Sequence, residues 1–423
     1  MIDINIIRNN SEIIENDLKK RKDEEKLKWL DEIKSLDIEW KKLKLETEKL
    51  RNERNVISRD IARLKKENQN VQEKLSEAAE IPKKIAEIES KQIIIKNKIT
   101  SYLMRLPNIL HESVPYGASE EENIEEAQFN EKPEFNFPLI SHVDLMNNLN
   151  ITDIERAAKI SGARFWFLKG DLALLDLALQ RYAIDFMNNK NYTLIQPPFM
   201  MNKKAYEGVT DLSDFQDVMY KIEDEDLYLI ATSEHPLAAM HYDEILTEDQ
   251  LPIKMTGVST CFRKEAGSHG KDTKGIFRGH QFNKVEQIII CKPEDSWKFH
   301  EEMIKNAEEM WESLGLHFRK INICTGDIGT VAAKKYDLEV WMPVQGKYRE
   351  IVSGSNCTDY QARRLKIRYR TKEGNKYVHT LNCTGIATSR ALVAILENFQ
   401  QKDGKIKIPD VLVPYMNNKK YIQ

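Results

Sequence analysis

Arg263 and Glu265 stand two residues apart in Cys261-Phe262-Arg263-Lys264-Glu265-Ala266-Gly267. After a Gly-, Lys- and Ser-rich stretch ending at Gly275, the chain continues through Ile276-Phe277-Arg278-Gly279-His280-Gln281-Phe282-Asn283-Lys284-Val285-Glu286. These runs read as a strand, a loop and a return strand. A strand presents alternate residues to one face, so Arg263 and Glu265 share a face of the first strand, and Phe282, Lys284 and Glu286 share one of the second. A guanidinium, two carboxylates and an aromatic ring on one surface could hold a nucleotide, although the same pattern also suits the solvated face of a charged hairpin. No GxGxxG or GxxxxGK[ST] loop occurs, so phosphates bound here would be neutralised by side chains, with arginines the natural candidates.

Two further runs carry similar residue types. Asn382-Cys383-Thr384-Gly385-Ile386-Ala387-Thr388-Ser389-Arg390 leads into an apolar helix over Ala391–Phe399. It puts small residues at a strand-to-helix join, where a ligand can approach the backbone closely, and Arg390 in the first helical turn. In Arg349-Glu350-Ile351-Val352-Ser353, Glu350 and Ser353 offer the oxygen ligands that a hard cation such as Mg²⁺ prefers.

These runs need a scaffold. Strand patterns cover Tyr192–Gln196, Leu227–Thr232, Ile253–Phe262, Gly279–Cys291, His317–Cys324, Tyr336–Trp341, Glu350–Ser355, Leu365–Tyr369 and Tyr377–Leu381, and helical patterns cover Leu172–Asn189 and Glu294–Leu314. Neighbouring strands of hairpin type predict an antiparallel sheet flanked by helices, an α+β domain over 139–423. Pro107, Pro115, Gly117, the acidic run Glu120–Glu122, Pro133 and Pro138 mark residues 107–138 as a linker.

Residues 1–106 have another texture. Steps of three and four connect Ile33, Leu36, Trp40, Leu43, Thr47, Leu50, Arg54, Ile57, Ile61 and Leu64, and then Ile81, Ile85, Ile88, Gln92, Ile95, Ile99, Tyr102 and Leu106. Two such seams around the polar cluster Glu67–Asn70 predict an antiparallel helical hairpin, a coiled-coil arm. Helices of roughly 35 and 25 residues would extend some 40–50 Å. Pro82 should open or kink the second helix. Lys49, Arg51, Arg54, Arg59, Arg63, Lys65 and Lys66 make the far end of the first helix locally basic. Such an end suits nucleic-acid phosphates, although a charged coiled coil is ordinarily structural, and Arg54 in the seam could simply set register.

With 423 residues and 41% hydrophobic content the chain can bury a large core, and its 31% charged content is concentrated in the first hundred residues. A net charge of -3 confines nucleic-acid binding to a local patch. Five scattered cysteines without zinc spacing, and no long apolar run or cleavage signal near the start, point to a reduced, soluble cytoplasmic protein with no membrane partner.

Taken together and in order, these runs resemble the three signature motifs of class II aminoacyl-tRNA synthetases. The opening MIDINIIRNN, the helical hairpin and the closing Ile408-Pro409-Asp410-Val411-Leu412-Val413-Pro414-Tyr415-Met416 are similar to the seryl-tRNA synthetase family over essentially the whole chain. The resemblance implies activation of L-serine with ATP and transfer of the seryl group to tRNA(Ser). It implies that Arg263 meets the α-phosphate and the serine, Glu265 the adenine edge or its surroundings, and Phe282 the adenine face, with Lys264, Arg278, Gly279, Ile351 and Val352 also at ATP. Arg390 would meet the γ-phosphate, and Glu350 and Ser353 would hold Mg²⁺ with the nucleotide. Thr232, Ser233, Glu234, Glu286 and Thr384 would form the serine pocket, with Glu286 pairing the substrate ammonium. Helix Leu172–Asn189 with its following strand would form a homodimer interface, and the basic arm would hold tRNA. A zinc-bearing branch of the family uses Cys among its ligands; no such cluster surrounds Thr232–Glu234 or Glu286, so no zinc is expected. His235, His280 and Cys357 read as packing or outlying groups. Another class II synthetase is disfavoured by the hairpin and by Thr232-Ser233-Glu234 and Ser353-Gly354-Ser355-Asn356. A non-catalytic paralogue is disfavoured by the retained arginines and carboxylates.

Overall fold

A computed structural model describes residues 1–210, 218–265 and 274–423 of the chain. They fall into two compact units, Met1–Ile109 and Leu110–Gln423.

The first unit holds α1 (Ile4–Lys20), α2 (Glu24–Lys66) and α3 (Gln72–Arg105). The Asp23 side chain caps α2 by accepting from the Lys26 amide at 3.1 Å. Glu24 and Glu25 in the first turn and Arg63, Lys65 and Lys66 in the last complement the helix dipole. Cross-helix bonds link Glu32 to Tyr102, Thr47 to Gln92 at 2.7 Å, and Arg51 to Glu89 at 2.6 Å. Partner numbers fall as α2 advances, so the hairpin is antiparallel as predicted. The seam is dry at Leu30, Ile33, Ile57, Ile81, Ile85, Ile95, Ile99 and Leu103, each contributing on the order of 1.5–3 kcal/mol by leaving water. Its polar interruptions Thr47 and Gln92 meet one another. Both helices exceed the expected lengths, at 43 and 34 residues. Pro82 does not open α3, which begins ten residues earlier at Gln72. Near this end Ile81 and Ile85 pack with Ile57, and Ala78 of the added turns joins them beside Leu50 and Ile61.

The second unit is built on β1 (Ile124–Phe129), β2 (Thr193–Ile195), β3 (Ile253–Phe262), β4 (Gln281–Cys291), β5 (Phe318–Asn322), β6 (Lys334–Met342), β7 (Lys347–Asn356) and β8 (His379–Ala387). They form one sheet in the order β1-β5-β6-β7-β8-β4-β3-β2, antiparallel throughout except that β2 runs parallel to β3. Helices α4 (Gly170–Asn189), α6 (Ser296–Ser313) and α7 (Thr388–Asn398) pack on it, with α5 (Glu234–Ala238) beside β4. Val285, Leu338, Val340, Val352, Leu381, Cys383 and Ile386 of the sheet join Met303, Met310, Trp311 and Leu392 of the helices in one core. This is the antiparallel α+β architecture expected.

Four local readings change, one of them being Tyr377–Leu381, which is split at Val378 between strand Gly374–Tyr377 and β8. Residues 107–138 are more than a linker, because β1 pairs with β5 and forms an edge of the main sheet. The strand expected at Leu365–Tyr369 starts only at Arg368 and runs to Thr371: helix Tyr360–Leu365 comes first and ends at Lys366, whose left-handed backbone (φ 55) turns the chain into the strand. Of Leu227–Thr232, only Tyr228–Leu229 forms a strand. No helix among the described residues is long and apolar enough to cross a membrane. The five cysteines are free and buried.

Candidate active site

A cavity of about 500 Å³ opens over the middle of the sheet. It is lined by Thr232, Glu234, Arg263, Glu265, Arg278, Gly279, Phe282, Glu286, Glu350, Ile351, Ser353, Thr384 and Arg390. Residues from 232 to 390 in the sequence thus converge on one space. Three expected residues do not line it. Ser233 is fully buried, its hydroxyl donating to the Gly257 carbonyl at 3.3 Å. Lys264 is exposed and lies over the Tyr220 ring at 5.7 Å. Val352 points into the core on the opposite face.

The hairpin ladder ends where Phe262 pairs Gln281, so Arg263 and Glu265 lie beyond the strand and not on its face. Glu265 has a left-handed backbone (φ 49). They reach the cavity through other contacts: Arg263 Nε donates to the Ala231 carbonyl at 3.3 Å, and the Glu265 carboxylate pairs with Arg278 at 3.3 Å. Ala266, Gly267 and the rest of the Gly-, Lys- and Ser-rich stretch up to residue 273 lie outside the described residues. The Arg263 guanidinium stands 5.2 Å from the Phe282 ring centre, leaving a cation and an aromatic face for one planar ligand. Gly279 is required by contact, since a Cβ there would come within 2.1 Å of the Trp166 ring behind it.

Two β-bulges complete the lining. Residues three apart on a regular strand face opposite sides, yet Glu350 and Ser353 both line the cavity. Leu338 pairs Val352 while Glu339 pairs Glu350, so Ile351 is an extra residue that restores a common face. On β8, Thr384 pairs Glu286 and Ile386 pairs Val285, and the extra Gly385 brings Thr384 and Ala387 to the cavity together. The Trp311 indole holds this bulge by donating to the Gly385 carbonyl at 3.0 Å. Helix α7 then starts at Thr388 and carries Arg390, which pairs with the Glu350 carboxylate at 3.1 Å and its carbonyl at 2.8 Å. Although burial opposes ionisation of Glu350, the charges of Arg390, Lys335 and Arg263 outweigh it and hold the carboxyl below the usual range.

The inner end of the cavity holds buried charge. Glu234 accepts from Gln361 at 3.1 Å and from Asn382 at 3.0 Å. Burial, and next the charge of Glu286, push Glu234 up to about 7. Glu286 is raised as well, chiefly by burial, and forms an ion pair with Lys284. Burial, helped by Arg263 and Lys284, lowers His235 to about 3, so it is neutral; its Nδ1 meets the Tyr206 hydroxyl at 2.9 Å.

Sequence reasoning placed Lys284 on the correct face but gave it no part. His235 and Cys357, read as packing groups, line the cavity, as do Phe277, Lys335, Asn382 and residues 328–332. Lys335 pairs with buried Asp337 at 3.4 Å. Lys284 had a signal, the period of two it shares with Phe282 and Glu286, and Phe277 and Asn382 lie inside runs already singled out; Lys335 and residues 328–332 come from segments without a recognisable pattern.

The arm residues belong to the first unit. Arg51 is tied to Glu89 and Arg63 to Asp60, at 2.6 and 3.3 Å. Lys49, Arg54, Arg59, Lys65 and Lys66 are exposed on the surface of α2.

Comparison with known proteins gives the same picture. Residues 1–110 match the seryl-tRNA synthetase N-terminal domain, and residues 220–399 match the tRNA synthetase class II core domain (G, H, P, S and T). The serine–tRNA ligase of Methanospirillum hungatei is 56% identical over 425 residues, covering 100% of both chains. The crystal structure of seryl-tRNA synthetase from Pyrococcus horikoshii complexed with ATP matches with a TM-score of 0.96 at 50% identity, covering 100% of this chain and 99% of that one. The cytoplasmic serine–tRNA ligase of Naegleria fowleri in complex with AMP matches with a TM-score of 0.90 at 38% identity, again over 100% and 99%. Identity at this level over the full length, on the same fold, places this chain in the seryl-tRNA synthetase family.

Proposed function

We propose that the chain is a serine–tRNA ligase that activates L-serine with ATP and esterifies it to the 3′ end of tRNA(Ser). The observation that carries this reading is the convergence of Arg263, Phe282, Arg390 and the buried carboxylate Glu286 on one cavity. The substrate's own carboxylate attacks the α-phosphorus, and pyrophosphate leaves. A terminal ribose hydroxyl of the tRNA then attacks the carbonyl of the seryl-adenylate, and AMP leaves. Because the substrate supplies the nucleophile, the site needs positioning and charge stabilisation, not an activated side chain. Arg263 is suited to the α-phosphate, Phe282 to the adenine face, and Arg390 to the γ-phosphate. Glu350 and Ser353 share one face and offer only oxygen ligands, a set that fits Mg²⁺ entering with ATP; its charge would offset that of the phosphates.

Glu286 and Thr384 sit opposite one another across β4 and β8, which suits them to the serine ammonium and hydroxyl. A pocket built to hydrogen-bond a hydroxyl rejects alanine because buried partners are left unpaired. The added methyl of threonine would meet the pocket wall.

The exposed basic residues of α2 support a contact with tRNA phosphates, which supply most of the affinity in such complexes. Homodimerisation is part of the same reading. It is supported by exposed Leu177 on α4 and Leu194 on β2, an edge strand of the sheet among the described residues, at 61% and 45% exposure. Sedimentation equilibrium would report twice the chain mass.

ATP–pyrophosphate exchange across the amino acids tests the central claim. Exchange should depend on serine. Stimulation by threonine and not serine would assign another class II activity. Absence of exchange in a chain that still binds ATP and tRNA would indicate a non-catalytic paralogue.

A further inference from the structure

Lys284 poses a charge problem inside the proposed serine pocket. It lies on β4 two residues before Glu286, lines the cavity, and has a side chain only 10% exposed. Its Nζ forms the ion pair with Glu286 and stands 3.4 Å from the Thr232 hydroxyl. Thr232 and Glu286 are two of the residues read above as serine ligands. The protein's own ammonium therefore occupies the place where the ammonium of a bound amino acid would be held.

Two ammonium groups cannot share one buried carboxylate without strong repulsion. Lys284 must give up Glu286 when serine enters. Leaving a lysine buried and unpaired is costly, so it needs a new anion nearby. Glu234 already accepts from Gln361 and Asn382 on one oxygen, and burial favours its protonated form, so it is a poor replacement anion. The zwitterionic substrate brings its own anion: the carboxylate that arrives with the ammonium. Lysine's four-carbon stem allows this exchange while its backbone stays fixed in the β4 ladder.

We propose that Lys284 is a substrate-binding residue that exchanges Glu286 for the α-carboxylate of serine, filling the ammonium site when the pocket is empty and gripping the nucleophile when it is full. This rests on the serine-pocket reading and extends it. With Lys284 on one side and Arg263 on the other, the carboxylate would be held between two cations on its way to the α-phosphorus. The same exchange selects for amino acids over simple amines, because an amine displaces Lys284 without offering it a partner.

A crystal structure of the full chain soaked with serine tests this directly. Lys284 Nζ should leave Glu286 and lie within hydrogen-bond distance of a substrate carboxylate oxygen; Nζ still on Glu286 beside bound serine would overturn the proposal. Kinetics give a second reading. In Lys284→Met, kcat/KM for serine in ATP–pyrophosphate exchange should fall roughly 10- to 100-fold, the loss expected for one hydrogen-bonded charge, while KM for ATP holds. Lys284→Arg should recover part of it. Unchanged serine kinetics in Lys284→Met, or KM for ATP rising in parallel with that for serine, would rule the role out. If the wild-type chain shows no serine-dependent exchange, the proposed activity itself has failed, and that result is read without any variant.

Discussion

The helical unit and the cavity both carry many charges, but they use them in opposite ways. On α2 and α3 most charges stand in water and pair within a turn or across the seam, as Lys34 does with Asp31, Arg63 with Asp60 and Arg51 with Glu89; Asp37, buried against Arg8, is the exception. In the cavity, Glu234, Glu286 and Lys284 are withdrawn from water and answer to one another and to Arg263. Screening makes a surface charge nearly independent of its neighbours, whereas burial couples every charge to the next. One region should therefore respond to substitutions as a sum, and the other to each singly.

Arg263→Ala is the sharpest test of that contrast. It removes the α-phosphate cation proposed here and should lower serine-dependent exchange by on the order of 10³-fold, the usual cost of losing a preorganised transition-state contact. A fall below about tenfold would mean that the cavity behaves like the surface. On α2, the combined Arg54→Ala, Arg59→Ala, Lys65→Ala, Lys66→Ala variant should leave exchange untouched. It should lower tRNA charging by roughly 10- to 100-fold at physiological salt and flatten the salt dependence, with each single change contributing a fraction. If one residue accounted for the whole loss, the arm would be a coupled site after all.

The pH dependence of stability separates the two regions further. Glu234 is raised from 4.5 to about 7, so the folded state favours its protonated form. Relative to acid, the chain then loses stability as pH rises from about 4.5 to 7 and keeps that deficit above. Glu234→Gln should remove that loss, which thermal unfolding between pH 5 and 8 would reveal as a flatter profile. A profile identical to wild type would refute it. The smallest effect should be Thr47→Val. It breaks the single hydrogen bond to Gln92 inside the seam and should cost about 1 kcal/mol in denaturant unfolding with no effect on exchange.

Much of this molecule was readable along the chain. The strand expected at Ile253–Phe262 has those bounds, and helix Leu172–Asn189 extends by only two residues, to Gly170. Both are long periodic segments; the helix sends Leu172, Leu175 and Leu179 into one core, and the strand packs Met255 and Val258 into cores on its two faces. The seam of the hairpin was visible because helical periodicity is local and repeats for many turns. Failures occurred where a single residue decides. Nothing in Arg349–Ser353 announces that Ile351 is the extra residue, and without that bulge Glu350 and Ser353 would face opposite sides of β7. Nothing near Leu365 announces the left-handed Lys366 that ends a helix where a strand was expected.

The sequence by itself determined the antiparallel hairpin, the sheet and most of the residues that could meet a nucleotide, because spacing along one element depends only on its own periodicity. Tertiary structure alone decided that Lys284 neutralises Glu286, that Gln361 and Asn382 hold Glu234, and that Ser233 and Val352 turn away from the cavity. Those outcomes depend on burial and, for Glu234, on partners more than a hundred residues away. A side chain's charge, partner and direction are settled only once the sheet has closed and water has been excluded from around it.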